Sequence, residues 1–379
     1  MFKFYQEPYR KEMEVKVISK KGDLLKFDDT IFYPGGGGQP YDIGIFKGEG
    51  FVAEITEVKK LDDGIWHKVK PIDGEIGTSG KIEIDWKRRY YLMKSHTGEH
   101  IFYKSLENVM PVKFVKVEFS IPESVLFVEG EVTLDNIEKA EEIANSIIMR
   151  NLNVTTEIKK LEDVGETRIR RERIKEEEVR IVNVGNFDSS ACSGIHVRST
   201  GEIERIHIKR LKRSKYNEII FLVSEEAVKE IEREKNEMRR INHFLNEFEN
   251  AYNKIKTMKE NLDLLKENYY ELTERMFNFN KIENVKFPIY YTIEELGEIR
   301  AIEKKAHSLI ENEKCIVIVG RKSLERINIF NSTGQDLHLI EFLKEKNLKG
   351  GGKIGFMINV PRENLENIFN ELIEKFKKI

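Results

Sequence analysis

The sequence predicts an α+β chain: an N-terminal β-barrel and an α/β layer, then coiled-coil helices and a small C-terminal α/β domain. Three observations carry this expectation. The first 86 residues mix β-branched and aromatic residues between Gly and Asp turn signals. Residues 225–281 hold no Gly or Pro, and their apolar residues step by three and four. Residues 285–379 alternate strand-like and helix-like runs.

In chain order, "EMEVKVISKKGDLLKFDDTIFYP" and "FVAEITEVKK" followed by "GIWHKV" read as strands of a small barrel or sandwich, residues 1–86. "WKRRYYLMKSHTGEHIFYKSLENV" then has helical spacing, with Tyr91, Leu92, His96, Ile101 and Leu106 as inner positions. A strand is expected over Phe114–Phe119, and an amphipathic helix in "VTLDNIEKAEEIANSIIMRNL" starting near Asp135. Strand signals return at Arg180–Val184, at Glu204–Arg210 and in "IIFLVS", so 87–224 reads as an α+β core. In 225–281, one run from Met238 to Ile255 and another from Leu262 to Phe279 are out of phase by three residues around Met258. That is a coiled-coil pattern with one stammer. One long helix and a hairpin folding near residues 256–261 both fit it. Residues 282–379 form the last domain, with "KGGGK" (349–353) between its second helix and its last long strand.

The chain has 379 residues, enough for several domains, and a formal net charge of −2, so it is not uniformly basic. Charged residues are 34% of the total, which leaves room for local patches of either sign. Two distant cysteines argue against a disulfide scaffold and suit a reducing compartment. No run approaches the ~20 apolar residues of a membrane helix, and the N-terminus lacks an apolar core of signal-peptide length. A cytoplasmic protein without membrane contact is the expectation.

Two stretches concentrate potential metal ligands. "KSHTGEHIFYK" carries His96 and His100, which lie on one helix face at i and i+4. "DSSACSGIHVRST" carries Cys192 and His196, using one of only two cysteines. Together they would make an N₃S set of the kind zinc accepts, and Gly194 would let the second stretch wrap tightly. Chance i,i+4 histidines are common, so neither pair is decisive alone. A rival pattern overlaps the first: His96, Glu99 and His100 also fit H-x-x-E-H, with Glu99 as general base. That reading leaves Cys192 and His196 unexplained. A third stretch, "DDTIFYPGGGGQPYDIG", sets four glycines before Gln39. It reads either as a hairpin turn or as backbone brought close to a ligand.

Taken together and in order, "TIFYPGGGGQPYDIG", "SHTGEHI" and "VGNFDSSACSGIHVRSTGEI" resemble the motifs of the alanyl-tRNA editing domain, found inside alanyl-tRNA synthetase and as free-standing AlaX-type proteins. The likeness spans about residues 1–224. A coiled coil followed by an α/β domain with "KGGGK" is similar to the DHHA1-type domain that follows editing in the synthetase, which implies the long AlaX form. The resemblance implies a zinc-dependent hydrolase that cleaves the ester joining serine, and secondarily glycine, to tRNA(Ala). His96, His100, Cys192 and His196 match the family's metal ligands. Gln39 matches its glycine-loop glutamine, and Thr30 a threonine associated with the serine hydroxyl. The usual Cys-Gly-Gly-Thr-His is Cys192-Ser193-Gly194-Ile195-His196 here, which bears on the loop geometry and on any contact from the lost Thr. With no aminoacylation domain in the sequence, the expectation is a chain that deacylates tRNA without charging it.

RNA contact is expected from "RIHIKRLKR", with Arg205, Lys209, Arg210, Lys212 and Arg213, and secondarily from "TRIRRER" (167–173). Gly351 and Lys353 in the C-terminal glycine stretch are a further expectation, although a helix–strand loop explains them nearly as well. Homodimerisation through the coiled coil or the last domain is left open beside a hairpin folded on itself. Two other readings stand beside the leading one. One is editing of another mischarged tRNA, because the threonyl-tRNA synthetase editing domain has a similar His/Cys layout. The other is a non-catalytic RNA-binding protein with a structural zinc.

Overall fold

The computed structural model describes residues 2–164, 167–168, 177–246, 250–293, 297–352 and 355–379. The chain divides into two compact units, Met1–Arg240 and Ile241–Ile379. The first is mixed α+β and opens, as expected, with a barrel.

After a single helical turn α1 (Lys3–Gln6) come β1 (Glu12–Lys21), β2 (Leu24–Phe27), β3 (Gly44–Gly48), β4 (Phe51–Leu61), β5 (Gly64–Asp73) and β6 (Ser79–Ile84). They close in the order β1-β2-β5-β4-β3-β6, which leaves no open edge. Alternation does the sorting: Met13 and Val15 of β1 point inward while Glu12, Glu14 and Lys16 face water. The long connection between β2 and β3 carries Thr30 and the glycine stretch.

Helix α2 (Trp86–Val109) starts where the Asp85 carboxylate accepts from the Arg88 amide. Its middle is buried on every side, from Leu92 to Tyr103, although it includes His96, Thr97, Glu99 and His100. Polar groups sunk this deep must find partners. A buried ion pair fixes this helix to the barrel: the Arg89 guanidinium is fully buried against Asp42 and also donates to the Ile31 carbonyl at 2.7 Å.

Next follow β7 (Lys113–Glu118), β8 (Ser124–Glu129), α3 (Leu134–Met149), β9 (Val154–Lys160), β10 (Glu178–Val184), β11 (Asp188–Ala191), β12 (Ile206–Arg213) and β13 (Asn217–Val223). The cap of α3 is Thr133, upstream of the expected Asp135, because Thr133 and Asn136 form a reciprocal capping box. Strands β12-β13-β8-β7 make one sheet and β11-β10-β9 another. The β10–β11 hairpin pairs Val184 with Asp188 and delivers Cys192 directly after its last residue. Helix α4 (Ser224–Leu245) leaves this unit.

Helix α4 ends at Leu245, after which Asn246 adopts a left-handed φ of 50°, and α5 runs over Ala251–Met276. Residues 256–261, the expected hairpin position, run straight through α5. Beyond it lie β14 (Asn280–Ile282), β15 (Ile289–Ile293), α6 (Ile299–Asn312), β16 (Ile316–Arg321), β17 (Arg326–Asn331), α7 (Leu339–Glu345), β18 (Lys349–Gly351), β19 (Gly355–Asn359) and α8 (Leu365–Phe376). The sheet order is β14-β15-β16-β17-β19-β18. Strand β16 is buried on both faces: Ile316 and Ile318 join the cluster of α8, Val317 and Val319 that of α6. The expected glycine loop is an edge strand, since Lys349–Gly351 pairs with Met357–Asn359. Among the described residues no helix is long and apolar enough to cross a membrane.

Candidate metal centre

His96, His100, Cys192 and His196 come together, and their ligand atoms all lie within 4.8 Å of one another. The Cys192 sulfur is 3.2 Å from His96 Nε2 and 3.4 Å from His196 Nε2. The two histidines of α2 face the loop after β11, so both sequence pairs contribute to one cluster. Glu99 does not join it. It is buried on the same helix, Oε1 has no hydrogen-bond partner among the described residues, and burial raises its pKa. The H-x-x-E-H reading leaves unused the Cys192 and His196 that the fold brings to the same cluster.

Each imidazole is oriented by a partner on its other nitrogen. His96 Nδ1 lies 2.9 Å from Gln39 Oε1, which also accepts from the Ile195 amide at 3.0 Å. A backbone N–H can only donate, so this atom of Gln39 is the oxygen and His96 carries its proton on Nδ1. His100 Nδ1 faces the Asp188 carboxylate at 3.2 Å and the Ser190 hydroxyl at 2.8 Å. His196 Nδ1 lies 3.1 Å from Thr97 Oγ1, whose own proton goes to the Met93 carbonyl at 3.0 Å. All three Nε2 atoms are thereby turned to a common centre, where a metal would take the place of the second proton that His100 holds at neutral pH.

The electrostatics suit a cation. Burial pushes the Cys192 thiol up, but the imidazoles of His96 and His196 outweigh it and hold the thiol well below its ordinary pKa. Burial pulls His196 down to about 3, so its nitrogen is bare at neutral pH. Burial also opposes charge on His100, yet the hydrogen bonds to Asp188 and Cys192 win and raise it to about 10. Asp188 is itself held low by His100 and Arg168 despite its burial.

The ligand loop is clamped through its carbonyls. Arg180 donates to the Cys192 and Gly194 oxygens at 2.9 and 2.8 Å, and the Tyr5 and Tyr33 hydroxyls to the Ser193 oxygen at 2.8 and 3.0 Å. Gly194 must be glycine, because a Cβ there would lie 1.9 Å from His96 Cε1. Gly38 likewise has φ +84°, and a Cβ would meet the Val117 carbonyl at 2.5 Å. The Ile195 side chain is buried with the apolar core, so only its amide belongs to the site. Ser193 instead turns its hydroxyl toward the Gly36 and Gly37 backbone.

Thr30 has no hydrogen bond to the cluster. It is buried, its hydroxyl meets His67 Nε2 at 2.8 Å and it accepts from the Phe32 amide at 3.0 Å. Of the basic run, Lys209 pairs with Glu123 and Glu230, Lys212 with Glu218, and Arg213 donates to the Val132 carbonyl. Arg205 and Arg210 are exposed, with no ion pair among the described residues. Gly351 ends the edge strand, while Lys353 and residues 169–173 of "TRIRRER" lie outside the described residues. Asp188, Ser190, Thr97, Arg180 and His67 went unassigned in the sequence. Asp188, Ser190 and Thr97 had a local signal, lying within the stretches already singled out.

Comparison with known proteins agrees with this geometry. The model of the threonyl and alanyl tRNA synthetase second additional domain matches residues 179–242, and that of class II (A) tRNA synthetases matches residues 2–88. The alanyl-tRNA editing protein AlaX-L of Pyrococcus horikoshii is 29% identical, over 99% of this chain and 98% of its own. The likeness to this AlaX-type alanyl-tRNA editing protein thus runs over nearly the whole chain. The chain is also similar to alanine–tRNA ligases. The ligase of Pyrococcus furiosus is 28% identical over 84% of this chain, and that of Pyrobaculum aerophilum 34% identical over 55%. The chain spans only 37% and 25% of those two ligases. Of the four clustered side chains, Cys192 and His196 fall within residues 179–242, and His96 and His100 come from α2.

Proposed function

We propose that this chain is a trans-editing hydrolase that removes serine, and secondarily glycine, from mischarged tRNA(Ala) at a zinc site. The observation that carries the reading is the convergence of three Nε2 atoms and one sulfur, each imidazole turned by a partner on Nδ1. His96, His100, Cys192 and His196 would hold the zinc, and their N₃S chemistry suits it. When bound, zinc supplies a Lewis acid for an acyl oxygen or a bound water.

The remaining roles fall to side chains. Gln39 Nε2 is buried and has no partner among the described residues, while its oxygen is committed twice. It is the donor left for the ester carbonyl. Thr30 reads the amino acid. His67 Nδ1 faces the Leu25 carbonyl at 3.4 Å, which leaves Nε2 bare to receive the Thr30 proton. The Thr30 oxygen then keeps one lone pair, available to a serine hydroxyl and useless to alanine. Burial lowers His67 to about 4, so this polarity holds at neutral pH.

Residues 1–86 and 87–224 form the editing module in this reading, and 282–379 a DHHA1-like nucleic-acid arm. Of the basic run 205–213, Arg205 and Arg210 are exposed without an ion pair among the described residues and are placed to meet phosphate. The exposed apolar run of α5, with Ile255, Met258, Leu262, Leu265 and Leu272, supports homodimerisation as a coiled coil. Light scattering over a concentration series tests that part.

A deacylation panel tests the function: Ser-, Gly- and Ala-tRNA(Ala), and serine on a tRNA whose acceptor identity pair is exchanged. Fast serine release confined to tRNA(Ala), with Ala-tRNA(Ala) spared, is expected. Metal binding without release from any substrate would favour a structural zinc in an RNA-binding protein.

A further inference from the structure

Beside the metal centre sits a cluster that the editing chemistry does not use. Tyr9, Trp86 and Tyr90 pack together, Trp86 on Tyr90 at 5.1 Å and 13°, Tyr9 against both at 5.6 and 6.1 Å. All three are half-buried. Cations cover the rings: the Arg198 guanidinium lies 4.0 Å from the Tyr9 centroid and the Lys11 ammonium 4.9 Å from that of Trp86. Lys94 lies over Tyr90 but is committed to Glu204 at 2.7 Å. Arg198 and Lys11 are exposed and have no ion pair among the described residues.

Anchoring the N-terminal segment explains part of this cluster. Glu202 accepts from the Tyr9 and Tyr90 hydroxyls at 2.6 and 2.8 Å and from the Arg198 and Ser199 amides at 3.0 and 3.2 Å. Anchoring does not explain two unpaired cations on ring faces. The acid that would neutralise them already has both oxygens occupied. The cluster is also rigidly joined to the metal loop. Arg198 stands two residues after His196, its amide is held by the Tyr9 hydroxyl at 2.9 Å, and the Val197 amide between them meets Thr97 Oγ1 at 3.3 Å.

We propose that Tyr9, Trp86, Lys11 and Arg198 form a docking platform for the single-stranded 3′ end of the tRNA. Aromatic faces and guanidinium planes stack bases without regard to sequence, and adjacent cations meet the phosphates. An acidic peptide would satisfy the charges but leave the rings unused. The inference rests on the tRNA reading above and adds the surface over which the last nucleotides approach the ester site.

The test uses fluorescence anisotropy with the full chain and two uncharged RNAs. One is an acceptor-stem minihelix with its single-stranded 3′ extension; the other is the same duplex made blunt. Arg198→Ala should weaken binding of the extended RNA about tenfold, and Lys11→Ala severalfold, with the blunt duplex little affected. Polyuridylate should displace the minihelix far better than polyglutamate. Zinc content equal to wild type confirms that each variant is folded around its metal site. Unchanged affinity in both variants, equal losses on both RNAs, or equally effective polyglutamate would overturn the platform. If the wild-type protein binds neither RNA, the tRNA reading itself falls.

Discussion

The Ile195 amide and the Gln39 side chain meet in a 3.0 Å hydrogen bond that decides which end of the amide is oxygen. That contact fixes the proton of His96 on Nδ1 and leaves the Gln39 nitrogen as a buried, unused donor. The two ends of one side chain thus have separable jobs. Gln39→Glu keeps an acceptor for His96 and Ile195 but removes the donor. Zinc affinity should change little while kcat for Ser-tRNA(Ala) falls by about 10²–10³, the usual cost of one lost donor to a developing oxyanion. Single-turnover deacylation beside a chelator competition checks both halves. A variant with wild-type kcat would refute the donor role.

Asp188 should set metal affinity. Its carboxylate orients His100 and is steadied by Ser190 at 2.7 Å and Arg168 at 3.2 Å. Asp188→Asn can still accept from His100 but carries no charge, and zinc affinity should fall about 10–100-fold. Competition with a chromogenic chelator measures this, and equal affinity would assign Asp188 to packing alone.

Thr30→Val should remove discrimination rather than metal. The prediction is an efficiency for Ser-tRNA(Ala) that falls at least tenfold while that for Gly-tRNA(Ala), which has no hydroxyl to read, stays near wild type. Parallel losses on both substrates would point to a general disturbance of the barrel interior.

The buried pair of Arg89 and Asp42 predicts a stability effect away from the chemistry. Asp42→Asn leaves a buried guanidinium without its counter-charge, which costs about 3–5 kcal/mol. Urea unfolding of the metal-free protein measures it. A loss below about 1 kcal/mol would mean that the Ile31 and Pro8 carbonyls suffice for Arg89.

His207 gives a pH dependence of stability. Burial lowers its pKa, but Glu141 at 2.9 Å and Glu234 at 3.1 Å outweigh burial and raise it. A raised pKa adds stability that is complete below the unfolded value of about 6.5 and is lost as pH climbs through the folded value. Wild type should therefore exceed His207→Gln in thermal stability most at about pH 5.5, with the gap closing at alkaline pH. A gap that widens with pH would reverse the assignment.

Much of this was legible in the sequence because it is local. β-branched and aromatic residues between turn signals marked the barrel strands, and i,i+4 spacing put His96 and His100 on one face. That Cys192 and His196 join them was readable only as a resemblance, since the two stretches are brought together by the fold. The outer partners were harder still. Arg180 and Tyr33 act on loop carbonyls through contacts that no spacing announces. The surroundings of the basic strand were hidden for a related reason: charge is visible in a sequence, but the glutamates that pair with Lys209 and Lys212 come from other elements. The glycine stretch at 349–351 read as a loop because composition does not reveal the backbone pairing that makes it an edge strand.

The most direct test compares zinc-loaded wild type with Cys192→Ala and His196→Ala for release of serine from Ser-tRNA(Ala) under multiple-turnover conditions. Sustained release by wild type, with a loss of at least about 10²-fold in both variants, is predicted. Serine release by either variant at the wild-type rate, or none by zinc-loaded wild type, would contradict a hydrolase built on these four ligands.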